Sequence, residues 1–132
     1  MLTALVDDRQ AVLPELDTGD PASAAIARDF TCATLTEWDA QDHTFDAQLI
    51  ISELVTNAMR HVGGRIGVYL LRDGSRLACA VTDSGSSLPV VGAEDCFAES
   101  GRGLQLVQAM SSAWGCMLDH GRGKLVWVVL AP

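Results

Sequence analysis

Hydrophobic positions recur with two different periods along this chain, and each change of period marks an element. The chain opens on a short apolar stretch, Leu2 to Val6, which reads as an edge strand within a leading segment, 1–19. Asp20-Pro21 reads as an N-cap followed by proline in the first helical turn. Ile26, Phe30 and Ala33 then follow at helical spacing, so a helix with one buried stripe is expected over 21–38. A second helix is expected from Thr44 to the Gly63-Gly64 stop, with Ile51, Val55, Ala58 and Val62 as its apolar stripe. Another stripe of that helix is polar: Glu53, Thr56, Asn57, Arg60 and His61. After Gly64 the period falls to two. Residues 65–72 and 76–83 form two strands joined at Asp73-Gly74, a strong hairpin signal.

Residues 84–102 show no period and read as a long loop, which in a small domain is often a functional lid. Leu104, Val107, Met110 and Trp114 predict a third helix. Strands over 116–120 and 124–130 then flank Gly121-Arg122-Gly123. The sum is a single α+β domain over 1–132: a two-layer sandwich of about three helices on one mixed, mostly antiparallel sheet.

Composition narrows the partners. The 132 residues are 48% hydrophobic, enough for a core, and nine basic against seventeen acidic residues leave a net charge of −8. Such a surface repels phosphate backbones and anionic membranes, so neither direct nucleic-acid nor membrane binding is expected. The longest apolar run, Leu125 to Pro132, is too short to cross a bilayer, and no signal peptide is visible at the start. Cys32, Cys79, Cys96 and Cys116 are widely spaced, as are His43, His61 and His120, with no zinc spacing. Free thiols in a reducing cytoplasm are the expectation. Trp114 and Trp127 fall at core-like positions, and Trp38 at a helix end.

Two familiar motifs fail. Gly101-Arg102-Gly103 begins like a dinucleotide fingerprint, but Leu106 takes the third glycine position and a loop precedes it. Gly123-Lys124 resembles the end of a phosphate loop, but Leu125 follows where Ser or Thr is needed. Three other segments carry more together: Ile51 to His61 on the second helix, Val81-Thr82-Asp83-Ser84-Gly85 at a strand end, and Glu99 to Leu104 leading into the third helix. In this order they resemble the N, G1 and G2 boxes of the GHKL superfamily, whose nucleotide site is the Bergerat fold. The Glu-Leu-Val-Thr-Asn-Ala run, the small size and the closing Gly-Lys-x-x-Trp segment are most similar to the anti-sigma factor serine/threonine kinases.

The resemblance covers roughly residues 20–130 and implies an ATP and Mg²⁺ site. Glu53 and Asn57 are one helical turn apart and share a face. An amide oxygen suits magnesium, and a carboxylate nearby can take a proton from an attacking hydroxyl. By resemblance Glu53 is the catalytic base and Asn57 the Mg²⁺ ligand. Arg60 and His61 either face the nucleotide phosphates or are a solvated arginine and a capping histidine. Asp83 stands where the family reads the adenine amino group, and Gly85 where the backbone approaches the base. Gly101, Gly103 and Leu104 open a helix whose first N–H groups favour anions, and Arg102 either adds charge there or faces solvent.

Two departures stand out. Ser87 replaces a glycine, and Leu125 replaces the threonine that commonly follows the residue matching Lys124. The second is expected to weaken the adenine network by about 1 kcal/mol. The implied function is an ATP-dependent regulatory kinase that phosphorylates an anti-anti-sigma (STAS-type) protein, sequesters a sigma factor, or both, as a homodimer. The alternative is a catalytically degenerate Bergerat-fold module that regulates by protein binding alone.

Overall fold

The computed structural model describes residues 9–60, 64–84, 103–119 and 123–131. Among them lie strand β1 (Arg9–Asp17), helix α1 (Ser23–Glu37), a 3₁₀ turn (Gln41–His43) and helix α2 (Thr44–Met59). Strands β2 (Arg65–Asp73) and β3 (Arg76–Asp83), helix α3 (Gly103–Met110), and strands β4 (Ser111–Asp119) and β5 (Gly123–Leu130) follow. The sheet runs β1-β2-β3-β5-β4 and every pairing is antiparallel. The α+β two-layer architecture is as expected, with a wholly antiparallel sheet in place of a mixed one.

Helices cover one face. Ile50, Ile51 and Val55 of α2 are fully buried against Ile66, Val68 and Leu70 of β2, Cys79 of β3 and Val128 of β5. Val107 brings α3 into the same core. Alternation along each strand puts one residue of every two into this layer and the next on the far side of the sheet.

Several local expectations shift. The strand in the leading segment is Arg9–Asp17, while Leu2 to Val6 lies outside the described residues. A register shift between Leu13 and Leu16 absorbs Pro14, and Glu15 adopts φ 61 there. Asp20 does not cap α1; its carboxylate accepts from the Ala22 N–H at 2.9 Å in a turn ahead of the helix. The buried stripe of α1 is Ala27, Thr31, Thr34 and Leu35, whereas Ile26 is 41% exposed. Small residues win this face because Thr31 donates its hydroxyl to the Ala27 carbonyl at 2.8 Å, so its burial leaves no polar group unmet. Trp114 belongs to β4 and not to the third helix, which ends at Met110.

The end of α1 is closed from a distance. Asp39 takes φ 54, the Ala40 N–H reaches the Leu35 carbonyl at 2.8 Å, and the Arg72 guanidinium donates to the Trp38 carbonyl. A left-handed residue and a cation on the last carbonyls together satisfy a helix C-terminus.

The cysteines also divide. Cys116 is disulfide-bonded, against the expectation of free thiols, since spacing alone does not reveal pairing. Cys32 is free and exposed, and Cys79 is free and buried. Burial pushes the Cys79 thiol from 9.0 up to about 12. The folded chain therefore keeps a proton that the unfolded chain releases, and this contribution to stability is full below pH 9 and fades as pH climbs toward 12. Iodoacetamide at pH 8 is expected to label Cys32 readily and Cys79 only after denaturation, as read by peptide mass spectrometry. Equal labelling of both in the native protein would contradict this burial.

Candidate functional site

One end of the sheet gathers the chemistry. Helix α2 runs out at Met59, and β2 starts at Arg65, with its second residue, Ile66, paired with Asp83. The last turn of α2, the start of β2, the end of β3 and the start of β5 thus meet at the same end. Polar links fasten it. The Thr18 hydroxyl donates to the Gly64 carbonyl at 3.1 Å, the Ser84 N–H to the Arg65 carbonyl at 3.0 Å, and the Arg65 N–H to the Ser84 hydroxyl at 2.9 Å.

Glu53 and Asn57 lie one turn apart on α2, which packs most extensively on β3 among the strands. Asn57 is only 6% exposed. Glu53 is half-buried, and its Oε2 is sealed from solvent with no hydrogen-bond partner. An oxygen of this kind costs free energy unless a ligand meets it, and such atoms are rare in native folds. Asp83 ends β3 at 3% exposure, on the helix-facing side of the sheet with Val81 and Cys79.

Two residues beside Asp83 were missed by sequence reasoning. Lys124 is its cross-strand partner in β5, and it too is buried, at 7% exposure. Gly123 precedes it at φ +111, where a Cβ would stand 1.6 Å from the Asp83 carbonyl oxygen. Only glycine fits so close an approach in that conformation. The sequence read this stretch as a turn glycine followed by a failed phosphate loop. The register also corrects the place given to Leu125: it pairs with Thr82 on the opposite face, so it cannot loosen hydrogen bonds around Asp83.

Arg60 follows α2, exposed, its N–H on the Asn57 carbonyl at 3.2 Å. His61, Gly85, Gly101 and Arg102 lie outside the described residues, as does most of the expected 84–102 loop. Gly103 and Leu104 open α3, whose last residue, Met110, accepts from the Ala131 N–H at 2.9 Å. The C-terminus of α3 therefore occupies the end of the sheet remote from Asp83. No group of three or more His, Cys, Asp and Glu able to cage a metal occurs among the described residues. A magnesium held by one amide oxygen, phosphates and waters needs no such cage.

A concavity of about 510 Å³ lies at the other end of the sheet beside Arg9, Arg72 and Arg76. Its charged walls sit on exposed strand ends with no buried polar group aimed inward, so the chemistry stays with Glu53, Asn57 and Asp83. Among the described residues no helix is long and apolar enough to cross a membrane.

No curated protein matches the chain. Among solved structures, the histidine kinase domain of the blue-light-activated histidine kinase EL346 from Erythrobacter litoralis shares the fold, with a TM-score of 0.53 at 17% identity. The match covers 83% of this chain and 59% of that one, so the chain spans under two thirds of its neighbour. Residues 18–130 match the histidine kinase-like ATPase domain, a span that takes in helices α1, α2 and α3, strands β2 to β5 and every described candidate residue. The chain belongs to the histidine kinase-like ATPase domain family.

Proposed function

We propose that this chain is an ATP-binding regulatory kinase of the anti-sigma factor serine/threonine type, acting in the cytoplasm. The observation that supports this most is the buried, unpartnered Glu53 Oε2 one turn from the buried Asn57, at the end of the sheet that also holds Asp83. Asn57 Oδ1 would supply one hard ligand for Mg²⁺, which would neutralise the charge of the phosphates when bound. Asp83 accepts a hydrogen bond from the adenine amino group and rejects guanine, which offers an acceptor there. Glu53 Oε2 takes the proton of a seryl or threonyl hydroxyl as its oxygen attacks the γ-phosphorus and the bond to the β-phosphate oxygen breaks. The acceptor is a STAS-type anti-anti-sigma protein, and a sigma factor is the protein held in check. His61, Gly101, Arg102 and Gly103 complete the phosphate side in this reading, with Arg60 and Leu104, while Gly85 lets the backbone approach the base.

A second reading has one observation in its favour. The buried Lys124 opposite Asp83 offers the carboxylate a resident cation and competes with adenine for it. In that case the domain regulates by binding protein without transferring phosphate.

Calorimetric titration separates the readings. ATP with Mg²⁺ is expected to bind at micromolar concentration and GTP not at all. Asp83→Asn, which turns an acceptor toward a donor, is expected to weaken ATP roughly tenfold or more. Unchanged ATP affinity in Asp83→Asn would remove the adenine role, and no ATP binding by the wild-type chain would favour the second reading.

A further inference from the structure

Two opposite charges are buried side by side where β3 meets β5. Asp83 closes β3, Lys124 stands second in β5, and the two are cross-strand partners at 3% and 7% exposure. Both fall on the helix-facing side of the sheet, Asp83 in alternation with Val81 and Cys79, Lys124 with Val126 and Val128. Directly opposed residues on one face carry their Cβ atoms about 4.5–5.5 Å apart. Of the two strand partners of Lys124, Asp83 and Leu118, only Asp83 is charged. Gly123 holds β5 so close that a Cβ there would stand 1.6 Å from the Asp83 carbonyl oxygen, which fixes the register that opposes the two charges.

The choice of cation is informative. The chain has eight arginines and one lysine, and the lysine is the residue placed here. Lysine is almost never buried without groups that satisfy its ammonium. A guanidinium is a rigid fork, whereas an ammonium is compact and turns its donors to suit what lies beside it.

Hydrogen-bonding capacity at this place exceeds what the pair can use. An ionised carboxylate accepts about four hydrogen bonds and an ammonium donates up to three. A bond between Asp83 and Lys124 takes one of each, so acceptors on the first and donors on the second stay available at adjacent points. Adenine presents the matching edge. Its amino group donates, and the ring nitrogens to either side, N1 and N7, accept. A carboxylate beside an ammonium therefore complements two neighbouring atoms of the base, where a carboxylate by itself complements one.

We propose that Lys124 is a specificity-determining residue for the base, donating from its ammonium to a ring nitrogen beside the amino group that Asp83 accepts. This role rests on the nucleotide reading and deepens it. The resident cation joins adenine on Asp83 and does not exclude it.

Calorimetric titration of the full chain with ATP, 1-deaza-ATP and 7-deaza-ATP, each with Mg²⁺, tests the role. Each analogue replaces one ring nitrogen by C–H and keeps the amino group. The wild-type chain is expected to bind one of the two at least about tenfold more weakly than ATP, through loss of a hydrogen bond from a charged donor. Lys124→Met, close in length and uncharged, is expected to bind ATP about tenfold more weakly and that analogue as well as ATP. A lysine that only supports the fold would lower all affinities together and leave their ratios unchanged. Circular dichroism verifies that the variant folds, and the wild-type arm decides the matter without it. Equal wild-type affinity for ATP and both analogues would overturn the proposal while leaving the nucleotide reading in place. An analogue penalty that persists in Lys124→Met, or tighter ATP binding by that variant, would do the same. A wild-type chain that binds none of the three would remove the nucleotide reading and the proposal together.

Discussion

Gly123→Ala is expected to lower the melting temperature by about 10 °C or more, a loss of about 3 kcal/mol or more for a chain of this size. Two terms add. A side chain at φ +111 sits where non-glycine residues cost on the order of 1–3 kcal/mol. The new methyl group would also stand 1.6 Å from the Asp83 carbonyl oxygen, and that neighbour is strand backbone with no freedom to swing aside. The strands β3 and β5 must part at the point where Asp83 and Lys124 face each other, so nucleotide binding should fall with stability. Gly74→Ala is the control. Gly74 has φ +61 but nothing within 4 Å of the added carbon, so only the conformational cost of about 1 kcal/mol applies. Thermal unfolding by circular dichroism compares the two, and equal losses would mean that the close approach to Asp83 carries no weight.

Glu53→Gln is expected to slow phosphoryl transfer by roughly 10²–10⁴-fold while ATP affinity stays within a few-fold. The amide keeps the shape and the hydrogen-bonding reach of the carboxylate but cannot take the proton of the acceptor hydroxyl. The same change replaces a buried, unpartnered carboxylate oxygen by a neutral group, so the melting temperature should hold or rise. A residue retained for catalysis at a cost to the fold gives that pair of results. Transfer of labelled phosphate to a seryl acceptor, calorimetry and thermal melts read the three quantities. Transfer at the wild-type rate would remove Glu53 from the base role.

Much of this was legible because it is local. Asp73-Gly74 between two alternating runs placed the β2–β3 hairpin, and the stripe Ile51, Val55, Ala58 placed α2 with its buried side correct. Glu53, Asn57 and Asp83 stood out by spacing and order. What failed depends on neighbours far along the chain. Ile26 and Phe30 looked like the inner side of α1, but the packing of α1 on α2 takes Ala27, Thr31 and Leu35 instead. Trp114 suited a helical period until the pairing with Val128 drew it into β4. Lys124 and Leu125 were confused because a strand shows which residue faces a given neighbour only when its register is known, and a slip of one exchanges the two faces.

The strand order has a kinetic consequence. Two pairings in the sheet, β2 with β3 and β4 with β5, join segments that are adjacent in the chain, and such hairpins close within microseconds. The other two, β1 with β2 and β3 with β5, bring together segments separated by helices, and loop-closure entropy makes them slower. Asp83 lies on one early hairpin while Gly123 and Lys124 lie on the other. The end of the site that holds Asp83 and Lys124 therefore does not exist until the two hairpins zip along the β3–β5 seam. A bound nucleotide should act on the unzipping step of that seam, protecting the amides of β5 from hydrogen exchange more than those of β2.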